Sequence, residues 1–325
     1  MVVEAPLQRR NAARGMVSPA PWPKNVVTMR VQRFLASAWA SVHGPHDPRR
    51  LWIAALEARF AGLAASPGPR PVDWSALAAA AADLPVQFGA VRAVDPLVGP
   101  SSTVGFGAAK DGERLAATKA AQHAVAIGRI VDCPLVVLDL GVVPVFGEIE
   151  DEDLGDPQVA WTKERVDALL ARRKVGRNAA VDRVCREVFA LIRAFPEAMF
   201  CLTQSRSVRA VADVDALQDV FEDLAHQRLY YWHDGGLAAR RGQIGLEAQG
   251  EWLERFGNRL RGMTLGDAGP DGLYLPPGAG GVDYALLASY APKSGHPIPG
   301  VVELDASIPP TEMPGIRSCL DKFGL

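Results

Sequence analysis

Cysteine is scarce in this chain. Its 325 residues hold four, Cys133, Cys185, Cys201 and Cys319, far apart and never as C-x-x-C. That excludes a disulfide framework and zinc-finger spacing. Three of them sit inside apolar patterns, where cysteine acts as a small hydrophobe, and the usage predicts a reducing, cytoplasmic setting. No apolar run approaches the roughly 18 residues of a membrane span. Neither sign of charge dominates: 35 Lys and Arg stand against 37 Asp and Glu, a net charge of −2. No basic field is offered to nucleic acid or to an anionic membrane, so the expected partner is a small molecule. A dinucleotide loop is missing too. Gly105-Phe106-Gly107 lies well past its strand and lacks a correctly spaced third glycine, which reads as an ordinary loop.

Residues 1–28 read as a flexible leader. They carry Arg9, Arg10, Arg14 and several prolines without the apolar segment of a secretory signal. Met16 and Met29 offer later starts, and residues 29–325 read as one domain.

Apolar residues make up 48% and charged residues 22%, enough to bury a large core without covalent staples. From about residue 31 short apolar runs alternate with amphipathic stretches, the pattern of parallel β/α architecture. Strands are expected at Arg33–Ser41, Phe60–Ala65, Val86–Val94, Leu135–Val142, Ala198–Ser205, Arg228–Asp234, Leu260–Asp267 and Gly300–Asp305. Helical spacing joins Ala116, Ala120, Ala124, Ile127 and Val131, and again Val181, Val184, Val188, Ile192 and Phe195 after an N-cap at Asn178. Asp213 caps a further helix with Val214, Leu217, Phe221 and Leu224 inward; Ala248, Trp252 and Phe256 mark the next, and Ile316, Leu320 and Phe323 the last. Eight strand–helix units predict an α/β fold, a single (β/α)8 barrel, with a doubly wound sheet as the alternative. Residues 144–177, acidic then basic, interrupt the rhythm after the fourth strand. They read as a charged insertion that is solvated, acts as a lid, or forms an oligomer contact such as a homodimer's.

Strand alternation places the acids. In Val301-Val302-Glu303-Leu304-Asp305 the apolar Val302 and Leu304 should face the helices, which turns Glu303 and Asp305 into the barrel. Asp234 ends the sixth strand before Gly235-Gly236, and Asp139 ends the fourth with Val136 and Leu138 outside. An inward carboxylate is costly unless it binds something. Each of the three also reads as a structural acid that caps a loop or pairs with an arginine. His233 should point outward by the same alternation.

The most specific stretch is Tyr274-Leu275-Pro276-Pro277-Gly278-Ala279-Gly280-Gly281-Val282-Asp283-Tyr284, followed by Gly300-Val301-Val302-Glu303-Leu304. Here the chain resembles the sugar phosphate isomerase/epimerase family, the xylose isomerase-like barrels, in which a P-G-x-G-x-[IV]-D-[FY] turn leads to the glutamate of strand eight. The resemblance runs over residues 31–323 in rhythm and is specific in letters over 260–305. It implies a metal-dependent enzyme that isomerises, epimerises or dehydrates sugars and polyols, with a divalent ion (Mn, Zn, Mg or Fe) on a strand-five glutamate, a strand-six aspartate, a strand-seven histidine and the strand-eight glutamate.

Carried onto this chain, Glu303 matches the strand-eight glutamate and Asp234 the strand-six aspartate. Thr203 stands at the strand-five glutamate, Thr264 at the histidine, and Leu237 where a histidine follows the aspartate. Two carboxylates hold a hard cation weakly, and transition metals favour imidazole. Asp267 is a further oxygen donor for a metal, and Asp139 and His43 are candidates to reach a substrate. Arg206, Arg209 and Arg240 lie past strands five and six, where they can take a phosphate or carboxylate. The expectation is an isomerase, epimerase or lyase on a sugar-like molecule, with Glu303 and Asp234 catalytic. The alternatives are a binding or scaffold protein, or a carboxylate hydrolase or cyclase, with no cofactor.

Overall fold

A computed structural model of the chain describes residues 30–93, 105–145, 153–225, 227–293 and 295–325. The leader, Val94 and the acidic start of the 144–177 segment lie outside the described residues. Eight parallel strands close a barrel: β1 (Val31–Ala36), β2 (Gly62–Ala65), β3 (Gln87–Arg92), β4 (Leu135–Asp139), β5 (Met199–Thr203), β6 (Leu229–Asp234), β7 (Leu260–Thr264) and β10 (Ile298–Val302). A two-stranded antiparallel hairpin, β8 (Asp267–Gly269) and β9 (Gly272–Leu275), stands above β7. The helices are α1 (Ser37–His43), α2 (Pro48–Glu57), α3 (Trp74–Ala81), α4 (Asp111–Ile130), α5 (Lys163–Ala194), α6 (Val214–Asp223), α7 (Gly235–Gln243), α8 (Gln249–Phe256), α9 (Tyr284–Tyr290) and α10 (Met313–Phe323). The closed order β1-β10-β7-β6-β5-β4-β3-β2 is that of a (β/α)8 barrel, and it excludes the doubly wound sheet. Among the described residues no helix is long and apolar enough to cross a membrane.

All eight expected strands are present, but several stop earlier than the apolar pattern does. Ser37–Ser41 belongs to α1, Asp267 to the hairpin, and Glu303 and Asp305 lie just beyond β10. The fifth helix begins at its Thr162 cap, whose Oγ1 accepts from Arg165 N, so Asn178 lies inside it. Residues 163–177 are thus a helical extension of the β4–β5 crossover. On α4 the buried stripe is Ala117, Ala121, Ala124, Val125, Ile127 and Gly128, so Ala116 and Ala120 fall off it. The stripes expected on α6 and at Val181, Val184, Val188 and Ile192 are buried.

The barrel interior is filled by large side chains set against missing ones. An added Cβ on Gly262 would lie 2.1 Å from the Trp232 ring, and one on Gly89 2.4 Å from that of Phe34. Trp232 and Phe34 therefore occupy the interior, and Trp232 Nε1 donates to Thr264 Oγ1 at 2.9 Å.

One irregularity decides what faces the mouth. Against β2, strand β3 carries an extra residue: Leu63 pairs Phe88, and Ala65 pairs Val91. Phe88 packs outward on Trp52 and Trp74, and Gly89 faces Phe34 inside. Strict alternation would then turn Val91 in and Arg92 out. Instead Val91 lies against Gly128 of α4, and Arg92 points inward to Asp234 and Glu303. A bulge re-aims a side chain in just this way.

Candidate active site at the barrel mouth

Three strand ends deliver acids to one region. Asp234 is the N-cap of α7, its Oδ1 accepting from Leu237 N at 3.1 Å. Its other oxygen accepts from Tyr274 Oη at 3.3 Å and faces Arg92 Nη2 at 3.4 Å. Glu303 Oε2 lies 3.5 Å from Arg92 Nε and accepts from Ser66 Oγ at 3.4 Å. Arg92 Nη2 also donates to Thr264 Oγ1. Both acids are fully buried and Arg92 is 6% exposed. The buried arginine thus stands between two buried carboxylates, each of which would be costly to bury without a partner. Burial opposes the Arg92 charge, but Glu303, Tyr274 and Asp234 more than compensate, and its pKa is raised.

Asp139, half-buried at the end of β4, is the site's most exposed acid. Burial raises its pKa to about 6, against hydrogen bonds from Gly141 N and Ser205 and the nearby Arg92 charge, which lower it. A carboxyl that titrates near neutrality beside a charged cluster suits proton transfer.

Tyr274 is held in a left-handed conformation at φ 58°, rare for a bulky residue. Its carbonyl accepts from Asp305 N at 2.9 Å, and burial, with Asp234 next, raises its pKa well above the ordinary value. The hydroxyl stays a donor aimed at Asp234. Strain of this kind gathers where a side chain must be placed for function.

The other sequence candidates are placed as follows. Asp267 accepts from the N–H groups of Ala268, Gly278 and Val282 at 2.8–2.9 Å, so its carboxylate pins the Pro-Gly turn. Asp305 does not enter the barrel: its Oδ1 accepts from the N and Oγ of Ser307, which makes it a turn residue. His43 bonds Ala306 O through Nε2 and lies on the Trp39 ring. Arg209 donates to Val143 O and Arg240 to Leu154 O, which ties the β5 loop and helix α7 to the chain after β4. Arg206 clamps Asp153 with two bonds of 2.9 and 2.7 Å. His233 does point to the helix layer, fully buried, with Nδ1 2.8 Å from Tyr231 Oη. Tyr231 takes a bond from Gln204, whose Oε1 accepts from Asp234 N at 3.0 Å. Burial pushes the His233 pKa down to about 3, so it is neutral.

These residues do not fit a divalent ion. Among the described residues no three His, Cys, Asp or Glu side chains are grouped as one would need. The expected set of Asp234, Glu303 and Asp267 is not assembled, because Asp267 is spent on backbone donors. The space between the other two holds a guanidinium. Sequence reading missed Arg92 and Tyr274. An arginine inside the largely apolar Val86–Val94 run was the available signal for the first; nothing in the letters gave the backbone strain at the second.

No family model matches the chain, and no curated protein does. Solved structures match over most of its length. A D-tagatose 3-epimerase-like protein superposes with a TM-score of 0.63 at 13% identity, over 90% of this chain and 97% of the other. The apo 3-keto-D-glucoside 4-epimerase YcjR from E. coli gives 0.60 at 11%, over 90% and 99%. A xylose isomerase domain protein from Planctomyces limnophilus gives 0.55 at 14%, over 91% and 95%. At such identities the likeness is one of fold, and the chain has the (β/α)8 fold of the xylose isomerase-like sugar isomerases and epimerases.

Proposed function

We propose that this chain is a cytoplasmic isomerase-, epimerase- or lyase-type enzyme acting on a sugar-like, polyhydroxylated small molecule at the C-terminal mouth of its barrel. The observation that carries the reading is the meeting of Asp234, Glu303 and Arg92, with Tyr274 and Asp139 beside them, where barrel enzymes keep their chemistry. The names of the structural neighbours support the substrate class. Asp139 and Glu303 carry the proton to and from a carbon next to a carbonyl, and Asp234 holds Arg92 and Tyr274 in position. Cationic and hydroxyl donors at this spot stabilise the enediolate oxygen that proton removal creates. The segment from Asp153 is the lid. Leu154 N donates to Arg206 O, and Leu154 O accepts from Arg240, so the chain after strand four is strapped onto the β5 loop and helix α7.

The test is solvent exchange. Ketoses, aldoses and 3-keto-glycosides are incubated in D2O and followed by proton NMR. The wild type washes deuterium into one carbon position. Glu303→Gln and Asp139→Asn each slow this by roughly 10²–10⁴-fold, the usual worth of a general acid or base. Exchange unchanged in both variants overturns the assignment.

A second reading, a binding protein that does no chemistry, is favoured by the same ion pairs, since Arg92 already compensates the two buried acids. Saturable sugar binding without any exchange identifies it.

A further inference from the structure

Two buried carboxylates from β6 and from the end of β10 need a cation between them, and the fold supplies one from β3. Arg92 reaches them because of the extra residue in that strand, and Thr264 Oγ1 accepts a third contact from it. Thr203 lies beside this region with its Oγ1 bonded to Gln204, and Leu237 offers only its backbone N–H, to Asp234. A divalent ion would have to displace a 6%-exposed guanidinium, and beyond Asp234 and Glu303 these positions offer it neither a carboxylate nor an imidazole.

We infer that Arg92 is the resident cation of this site, fixed by the β3 bulge in the place where two such acids would otherwise chelate a divalent metal, so that the two carboxylates are held together and the ligand site assembled without one. The inference concerns the site of the proposed function but is tested without turnover, so either can fail alone.

The experiment is titration with Mn²⁺ followed by electron paramagnetic resonance and calorimetry, on the full chain. Wild type shows no saturable site up to about 1 mM, the regime of weak carboxylate sites. Arg92→Ala opens the space and gains one Mn²⁺ site at least tenfold tighter, about 1.4 kcal/mol, and the gain is lost in Arg92→Ala/Glu303→Gln. Arg92→Lys, which keeps the charge, gains none. A structural role alone would lower stability in Arg92→Ala without creating an ion site. Stoichiometric micromolar Mn²⁺ or Zn²⁺ on wild type, lost in Glu303→Gln, overturns the inference. A folded Arg92→Ala that gains nothing also overturns it. Should Arg92→Ala fail to fold, the wild-type and Glu303→Gln titrations decide alone.

Discussion

Asp139 and His233 are buried to different degrees and titrate with opposite consequences for stability. Asp139 has a folded pKa near 6 against 3.8 for the free side chain. The folded state binds its proton more tightly, so stability from this group is full below about pH 4 and is lost as pH rises through 6. His233 is lowered from 6.5 to about 3. The unfolded chain takes up that proton first, so stability from this group is present above pH 6.5 and lost as pH falls toward 3. In Asp139→Asn only the second trend remains. Urea unfolding should show the variant gaining about 1–2 kcal/mol on the wild type between pH 5 and pH 8, less than the full shift because Asp139 is partly solvated. An equal difference at both pH values contradicts the assignment. Under the proposed function the same variant should also lose proton transfer, a trade-off common where a strained or desolvated group does the chemistry.

Among the elements, strands β3 and β7 set what the barrel can hold. Gly262 leaves room for Trp232, whose indole donates to Thr264, and Thr264 in turn receives Arg92. Gly262→Ala should cost about 1–3 kcal/mol by overpacking, read by chemical denaturation. A stability within error of wild type would mean that the ring has other room. Strand identities were legible because buried parallel strands read as apolar runs. Their ends were not: Ser37–Ser41 continues the apolar letters of β1 but coils into α1. Asn178 looked like a cap, yet the helix starts earlier at Thr162, because a cap residue inside a helix costs too little to stop it. Alternation placed Asp234 and Glu303 correctly, since the register shift beside β6 puts its extra residue on β7 and β10 pairs β1 without a shift. It failed for Arg92, because one extra residue in β3 reverses inside and outside from that point on, and an extra residue leaves no mark in the letters.

Across the whole molecule the barrel has the fold of the solved epimerase structures, and at its mouth a cation from β3 stands between the acids of β6 and the end of β10. The fold was legible in the eight-fold rhythm; the charge balance of the site depends on contacts between β3, β6 and β10, far apart in sequence. The lid reading of the residues after strand four also belongs to this scale, resting on the Asp153–Arg206 pair and the Leu154 bonds. Crystals soaked in Mn²⁺ and measured at an anomalous wavelength address the arrangement most directly. The account predicts guanidinium density between Asp234 and Glu303 and no anomalous peak within about 2.6 Å of either acid. A bound ion there, with Arg92 swung away, would contradict it.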